Sequence, residues 1–255
     1  SESGEPTGQG PWHDLTKVQS ILLANPGRQL ANASNHFHRM IFRHSGVSPH
    51  LHSRRLWQLL TNGAWLDFYC LGPLQRLEDR AGLAPARAVY RFHAANEAWL
   101  LHTESASEVG LMMHSGGDYS GWIQLLSEHH IPFDLVSMQF SDLSRYKAVI
   151  VPDSGRVSTR DARTLDAWVE EGGKLLLSGK IPEGLTCLGR AALKKTWPER
   201  HSMYVRIRPE DKAQLAMHAL KDYDLSHLRG AFYEYEGVAG NKPLLRLVHD
   251  VTYGP

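Results

Sequence analysis

Several groups of residues in this chain are of types that do chemistry. The polar stretch Asn25 to Arg43 gathers Asn25, Arg28, His36, His38, Arg39 and Arg43 directly after the apolar run Ser20 to Ala24 (SILLA). Read as a strand followed by a loop, it presents amide, guanidinium and imidazole groups at a strand's C-terminal end, where barrel enzymes bind ligands such as sugars. The same polarity suits a loop packed on a neighbouring domain. Glu78 and Asp79 follow the run Trp65 to Leu71 (WLDFYCL). They can orient hydroxyl groups at a strand end, or serve as helix-start acids in a solvated cluster with Arg76 and Arg80.

The pairs His36/His38 and His50/His52 have the spacing that places two imidazoles on one face of a strand, as metal ligands can be. Spacing fixes neither a third ligand nor an acidic partner, so a surface or interface role is the expectation and no metal is assigned. A thiol or hydroxyl nucleophile would need a sharp strand-to-helix elbow with a histidine and a carboxylate in support. Ser178 ends an apolar run, but SGKIPEG has no Gly-x-Ser-x-Gly context, and Cys187 lies too far along. Structural use of that region is expected. Of the tryptophans, Trp122 and Trp168 fall on apolar helix stripes, whereas Trp12, in a Gly/Pro loop, is a candidate stacking residue.

The elements that position these residues follow two patterns. From Glu108 onward, short apolar runs alternate with amphipathic segments, as in βαβ units on a parallel sheet. Strands are expected at Val109 to His114, Phe133 to Met138, Lys147 to Val151 and Lys174 to Ser178, with helices at Tyr119 to His130 and Thr159 to Glu171. Ser158 with Asp161 reads as a capping box, and Gly172 with Gly173 as the helix stop. Before Glu108 the order is strand (SILLA), long loop, helix (Leu51 to Thr61) and strand (Trp65 to Leu71), one and a half (β/α) units. A complete (β/α)₈ barrel takes about 250 residues by itself, so these units alone do not close one. After Lys180 the pattern weakens to a strand at Tyr204 to Ile207, a helix at Asp211 to Leu220, and a closing hairpin of Arg229 to Tyr235 with Pro243 to Val248.

Composition narrows the function classes. Twenty-eight Lys and Arg residues nearly balance 27 Asp and Glu, so no positive field draws the chain to nucleic acid or anionic lipid. No run approaches the roughly 20 apolar residues that cross a bilayer. The two cysteines, Cys70 and Cys187, form neither a disulfide scaffold nor a metal motif, in keeping with a reducing, cytoplasmic compartment.

The stretch from Glu108 to Lys180 resembles the trimerisation domain of microbial β-galactosidases. The likeness rests on the first strand, the Tyr-x-Gly-Trp helix entry, IPFDLV, L-x-x-YK-x-x-x-x-P and a helix ending EEGG. That domain is similar to class I glutamine amidotransferases without their chemistry. Upstream, RRLWQLLTNGAWLDFYCLG resembles the last helix and last strand of the same family's barrel. The fold implied is α/β: residues 1–104 as the C-terminal part of a (β/α) barrel, then a flavodoxin-like, doubly wound parallel sheet domain over residues 105–255 with a C-terminal extension. The resemblance further implies hydrolysis of a β-linked oligo- or polysaccharide by a two-carboxylate mechanism without a cofactor, in a homotrimer. On this alignment Asn25 stands near the nucleophilic glutamate of the seventh strand, and an amide cannot form the glycosyl ester. A second alignment matches SESGEPTGQGPW to the family's Glu-x-x-Pro-x-x-x-x-Trp loop, with Glu2 as nucleophile and Trp12 as sugar platform. The acid/base glutamate has no counterpart in the sequence. Arg28, His36, Arg39 and Glu78 complete the expected substrate contacts.

Overall fold

The structure is a computed structural model, and it describes residues 2–3, 11–38, 40–101, 103–139, 141–207, 209–212, 221–238, 240 and 246–248. Residues 1–152 with 173–176 form one compact unit, and 153–172 with 177–255 a second.

The first unit begins with three parallel strands in the order β1 (Glu2–Ser3), β2 (Ala31–Asn35), β3 (Trp65–Tyr69). Helix α1 (His13–Ala24) links the first two strands and α2 (Pro49–Thr61) the last two. Helix α3 (Leu83–Leu100) follows β3. The helices bury Val18, Leu56, Leu59, Ala86 and Val89 in one core, against which Leu66 and Phe68 of β3 pack. Ser48 caps α2, accepting a hydrogen bond from the Leu51 N–H, and Pro49 fits the first turn, where its missing donor costs nothing.

Two expectations change here. SILLA is the last turn of α1 rather than a strand. Leu15, Val18 and Leu22, spaced three and four apart, carry its apolar stripe, which a short apolar run read alone cannot reveal. The long loop holds β2, whose sequence ANASN has poor strand propensity. Pairing on both sides makes it a strand, with Glu2 in register with Ala33 on one edge and Asn35 with Tyr69 on the other.

The same unit continues into a four-stranded parallel sheet with the order β5 (Asp134–Val136), β4 (Val109–Met112), β6 (Ala148–Val151), β7 (Lys174–Leu177). Numbered within the sheet this is 2-1-3-4, the flavodoxin order. Helix α4 (Gly117–Glu128) joins β4 to β5, and α5 (Thr159–Glu170), which lies between β6 and β7 in the chain, belongs to the second unit. Each lies where the sequence pattern put it, and Ser158 caps α5 by accepting from the Asp161 N–H while donating to its carboxylate. Leu111, Ile123, Leu126, Phe133, Leu135 and Ile150 form the core between α4 and the sheet.

In the second unit, β8 (Gly189–Arg206) pairs antiparallel with both β9 (Leu225–Val238) and β10 (Arg246–Val248). The expected strand at 204–207 is the end of this long strand, and the expected closing hairpin is not one: its two strands flank β8 instead of pairing with each other. Of the expected helix 211–220, Asp211 and Lys212 lie in α6 (Pro209–Lys212), and the rest lies outside the described residues.

Candidate functional site

All three strands of the first sheet run the same way, so the loops after β2 and β3 and the start of α1 share one rim. That C-terminal rim is where parallel α/β sheets bind ligands. Alternation along β3 divides it in two. Leu66 and Phe68 face the helices, and Trp65, Asp67 and Tyr69 face the other way. Register carries this across to β2, where Ala33 pairs with Asp67 and Asn35 with Tyr69. The face turned from the helices thus holds an indole 54% exposed, an exposed carboxylate, a half-buried phenol and a buried amide. Phe37 packs edge-on against Tyr69, with ring centroids 5.6 Å apart. Asn35 Oδ1 is buried without a hydrogen-bond partner. At its rim end this face sets the half-buried Tyr69 ring beside the Asn35 amide, with Asp67 two residues back along β3, a combination that suits a ligand with apolar C–H faces and many hydroxyls; Trp65, in register with Ala31, lies at the opposite end of the strand. The signal was present in WLDFY, whose odd positions are polar or aromatic while its even ones are aliphatic or core.

Behind the sheet, on the helix side, lies a buried polar cluster. Ser34 Oγ and His52 Nδ1 are 3.0 Å apart, His52 Nε2 and His36 Nδ1 3.3 Å, and His36 Nε2 and the Asp79 carbonyl oxygen 2.8 Å. The Asp79 carboxylate accepts from the N–H groups of Gly46 and Ala81, which hold it below the usual carboxylate range. Backbone fits closely here: a Cβ on Gly82 would lie 2.5 Å from the His52 ring, and one on Gly46 3.0 Å from that of His36. Next to this cluster Arg55, itself buried, pairs with Asp14 at 3.7 Å and donates to the Asn35 carbonyl at 3.4 Å. Gln58 ties down the entry to α1, accepting from the Leu15 N–H and donating to the Pro11 carbonyl.

The expected site residues scatter over this frame. Asn25 is the C-cap of α1, its side-chain amide donating to the Ile21 carbonyl, at the opposite end of the sheet from the rim. Arg28 is exposed in the same turn before β2. Neither shares the rim with Asn35 and Tyr69. His36 is on the rim but 1% exposed and spent on internal hydrogen bonds. Trp12 packs, half-buried, against the core of the second parallel sheet, and its indole Nε1 is buried without a hydrogen-bond partner. Glu78 is exposed in the loop after β3, on the rim. Glu2 lies in β1 beside Ala33, and Arg39 lies outside the described residues. One histidine from each sequence pair meets the other in the core. Among the described residues no group of three or more His, Cys, Asp or Glu is placed to hold a metal.

Ser34, though beside an imidazole, has no exposed surface from which to attack a substrate. Burial, and then Asp166, push the Cys187 thiol up to about 11, which disfavours the thiolate. Among the described residues no helix is long and apolar enough to cross a membrane.

Two parallel sheets in one chain, the second in flavodoxin order, define an α/β protein. The model of the β-galactosidase trimerisation domain matches residues 93–228, and the chain belongs to that family. Among solved structures it is similar to α-L-fucosidase isoenzyme 2 from Paenibacillus thiaminolyticus, with a TM-score of 0.71 and 24% identity over 96% of this chain and 39% of that one. It is also similar to the β-galactosidase of Bacillus circulans sp. alkalophilus, with a TM-score of 0.72 and 14% identity over 98% and 43%. A third likeness is to the β-galactosidase of Rahnella sp. R3, with a TM-score of 0.67 and 14% identity over 98% and 44%. The chain therefore spans about two fifths of the length of these structures. No curated protein sequence matches.

Proposed function

We propose that this chain is part of a glycoside hydrolase acting on an oligo- or polysaccharide, with residues 1–104 supplying the end of the catalytic barrel and residues 105–255 the assembly domain of a homo-oligomer. The observation that carries this reading is that the likeness to β-galactosidases is not confined to the trimerisation domain: it extends over 98% of the chain and takes in the first sheet with its rim. In this reading Tyr69 flanks a sugar ring at the rim, and Asp67 and Asn35 accept from its hydroxyls. Glu2, one strand away in register with Ala33, is the nucleophile. The general acid comes from outside β1 to β3, since two carboxylates must flank the scissile bond.

The test is hydrolysis of nitrophenyl β-D-galactoside and nitrophenyl α-L-fucoside by the native gene product that carries these residues. Turnover that falls at least 1,000-fold in Glu2→Gln is the expected result; turnover that survives this change removes Glu2 from the mechanism. A second reading, a sugar-binding or assembly protein without catalysis, is favoured by the acid/base glutamate that the resemblance calls for and that has no counterpart in the sequence. Sugar binding without turnover of any glycoside supports that reading.

A further inference from the structure

The hydrogen bonds through the buried histidines have a direction that can be read from one end. His36 Nε2 faces a carbonyl oxygen, which only accepts, so that nitrogen carries the hydrogen. In the neutral ring Nδ1 is then the acceptor, and His52 Nε2 is its donor. His52 Nδ1 is left to accept from the Ser34 hydroxyl. With both rings neutral, both carry hydrogen on Nε2, and every donor points toward Asp79.

The relay joins two rim loops. His36 opens the loop after β2, and Asp79 belongs to the loop after β3. Their second link is the Asp79 carboxylate, which accepts from Gly46. An added proton on His36 Nδ1 sets two N–H groups head to head, while one on His52 Nδ1 leaves a cation in a ring with no exposed surface. The surroundings offer that cation little. Arg55 on α2 repels it, Asp14 on α1 is engaged with Arg55, and β3 contributes the ring of Phe68. The Asp79 carboxylate is held by two amides, with His38 close enough to act on it. Burial first, then His36 and Arg55, pull His52 down to about 4. Its folded value lies below its unfolded one, so its contribution to holding the folded arrangement is complete above about pH 6.5 and drains away as pH falls toward 4.

We propose that Ser34, His52 and His36 form an acid-released latch: neutral, the relay clamps the loops after β2 and β3 together at the C-terminal rim, and on protonation it lets them part. This rests on the loop geometry and holds whether or not the rim hydrolyses a sugar.

Hydrogen exchange by mass spectrometry on the native protein, corrected for intrinsic rates, compares about pH 7 with about pH 4.5. Peptides covering residues 40–48 and 70–82 are expected to lose at least ten-fold protection in acid, with those covering β4 and β6 unchanged. The His52→Gln variant, whose amide can accept from Ser34 and donate to His36, is expected to keep its protection at the lower pH. Equal protection at both pH values, or loss throughout the chain, overturns the proposal. So does a variant that responds as the wild type does, which assigns the response to Asp79. Should the variant not fold, histidine ¹⁵N shifts of the wild type decide: hydrogen on Nε2 of both neutral rings at pH 7 is expected, and an Nδ1–H tautomer or a charged ring there overturns it.

Discussion

Asp166 on α5 accepts from the Thr186 N–H, the Thr186 hydroxyl and the Cys187 N–H, at 2.8 to 3.0 Å. Burial alone would raise its pKa, but these donors outweigh burial and lower it. The side chain fastens the segment after β7, and removing it leaves three donors unmatched. Asp166→Ala is expected to cost about 3 kcal/mol in urea unfolding; a loss under about 1 kcal/mol would mean that water replaces the carboxylate. Burial, and then the same neighbour, raise the pKa of Cys187. At pH 8, iodoacetamide is expected to label Cys187 at least ten-fold more slowly than a small unperturbed thiol, by peptide mass spectrometry. Equal rates would contradict the burial and the Asp166 contact as its causes. Single residues were the least legible part of the sequence. Asn25 and Asn35 are alike in type and both follow apolar or small-residue runs, yet one caps a helix and the other ends a strand on the rim. Only the strand pairing separates them. His36 and His52 are 16 positions apart and meet because a loop and a helix bring them together, which no spacing rule contains.

Among elements, the four parallel strands of the second sheet and their two helices were readable, because each strand is a short apolar run and each helix carries one stripe and its own cap. Sheet one was harder. Buried between two neighbours, β2 has no alternation to display, and α3, with Pro85 in its first turn and a non-helical Asn96, breaks its own pattern. The brace between α1 and the edge strand β5 was invisible for a different reason. Gln19 donates to the Phe133 carbonyl at 3.1 Å and accepts from the Leu135 N–H at 2.8 Å, acting as one residue of an added strand. Gln19→Ala removes both bonds and is expected to lower stability by about 2 kcal/mol while exposing the β5 amides to exchange. Unchanged exchange at Leu135 would mean that the brace is not made in solution.

At the scale of the molecule, membership of the trimerisation-domain family makes assembly the natural role of the second sheet. Sedimentation of the native gene product at micromolar concentration is expected to give a species larger than a monomer, and a strict monomer contradicts that role. The proposed carbohydrate role rests on the other sheet, on the rim end of the face that carries Asn35, Asp67 and Tyr69. The most direct test is binding of methyl β-D-galactoside and methyl α-L-fucoside to the native gene product, read by saturation-transfer NMR and calorimetry, with Tyr69→Ala and Asp67→Asn alongside. At least one sugar is expected to bind, with affinity reduced ten-fold or more by either change. A folded protein that binds neither sugar, or binds one equally well after both changes, would contradict the site.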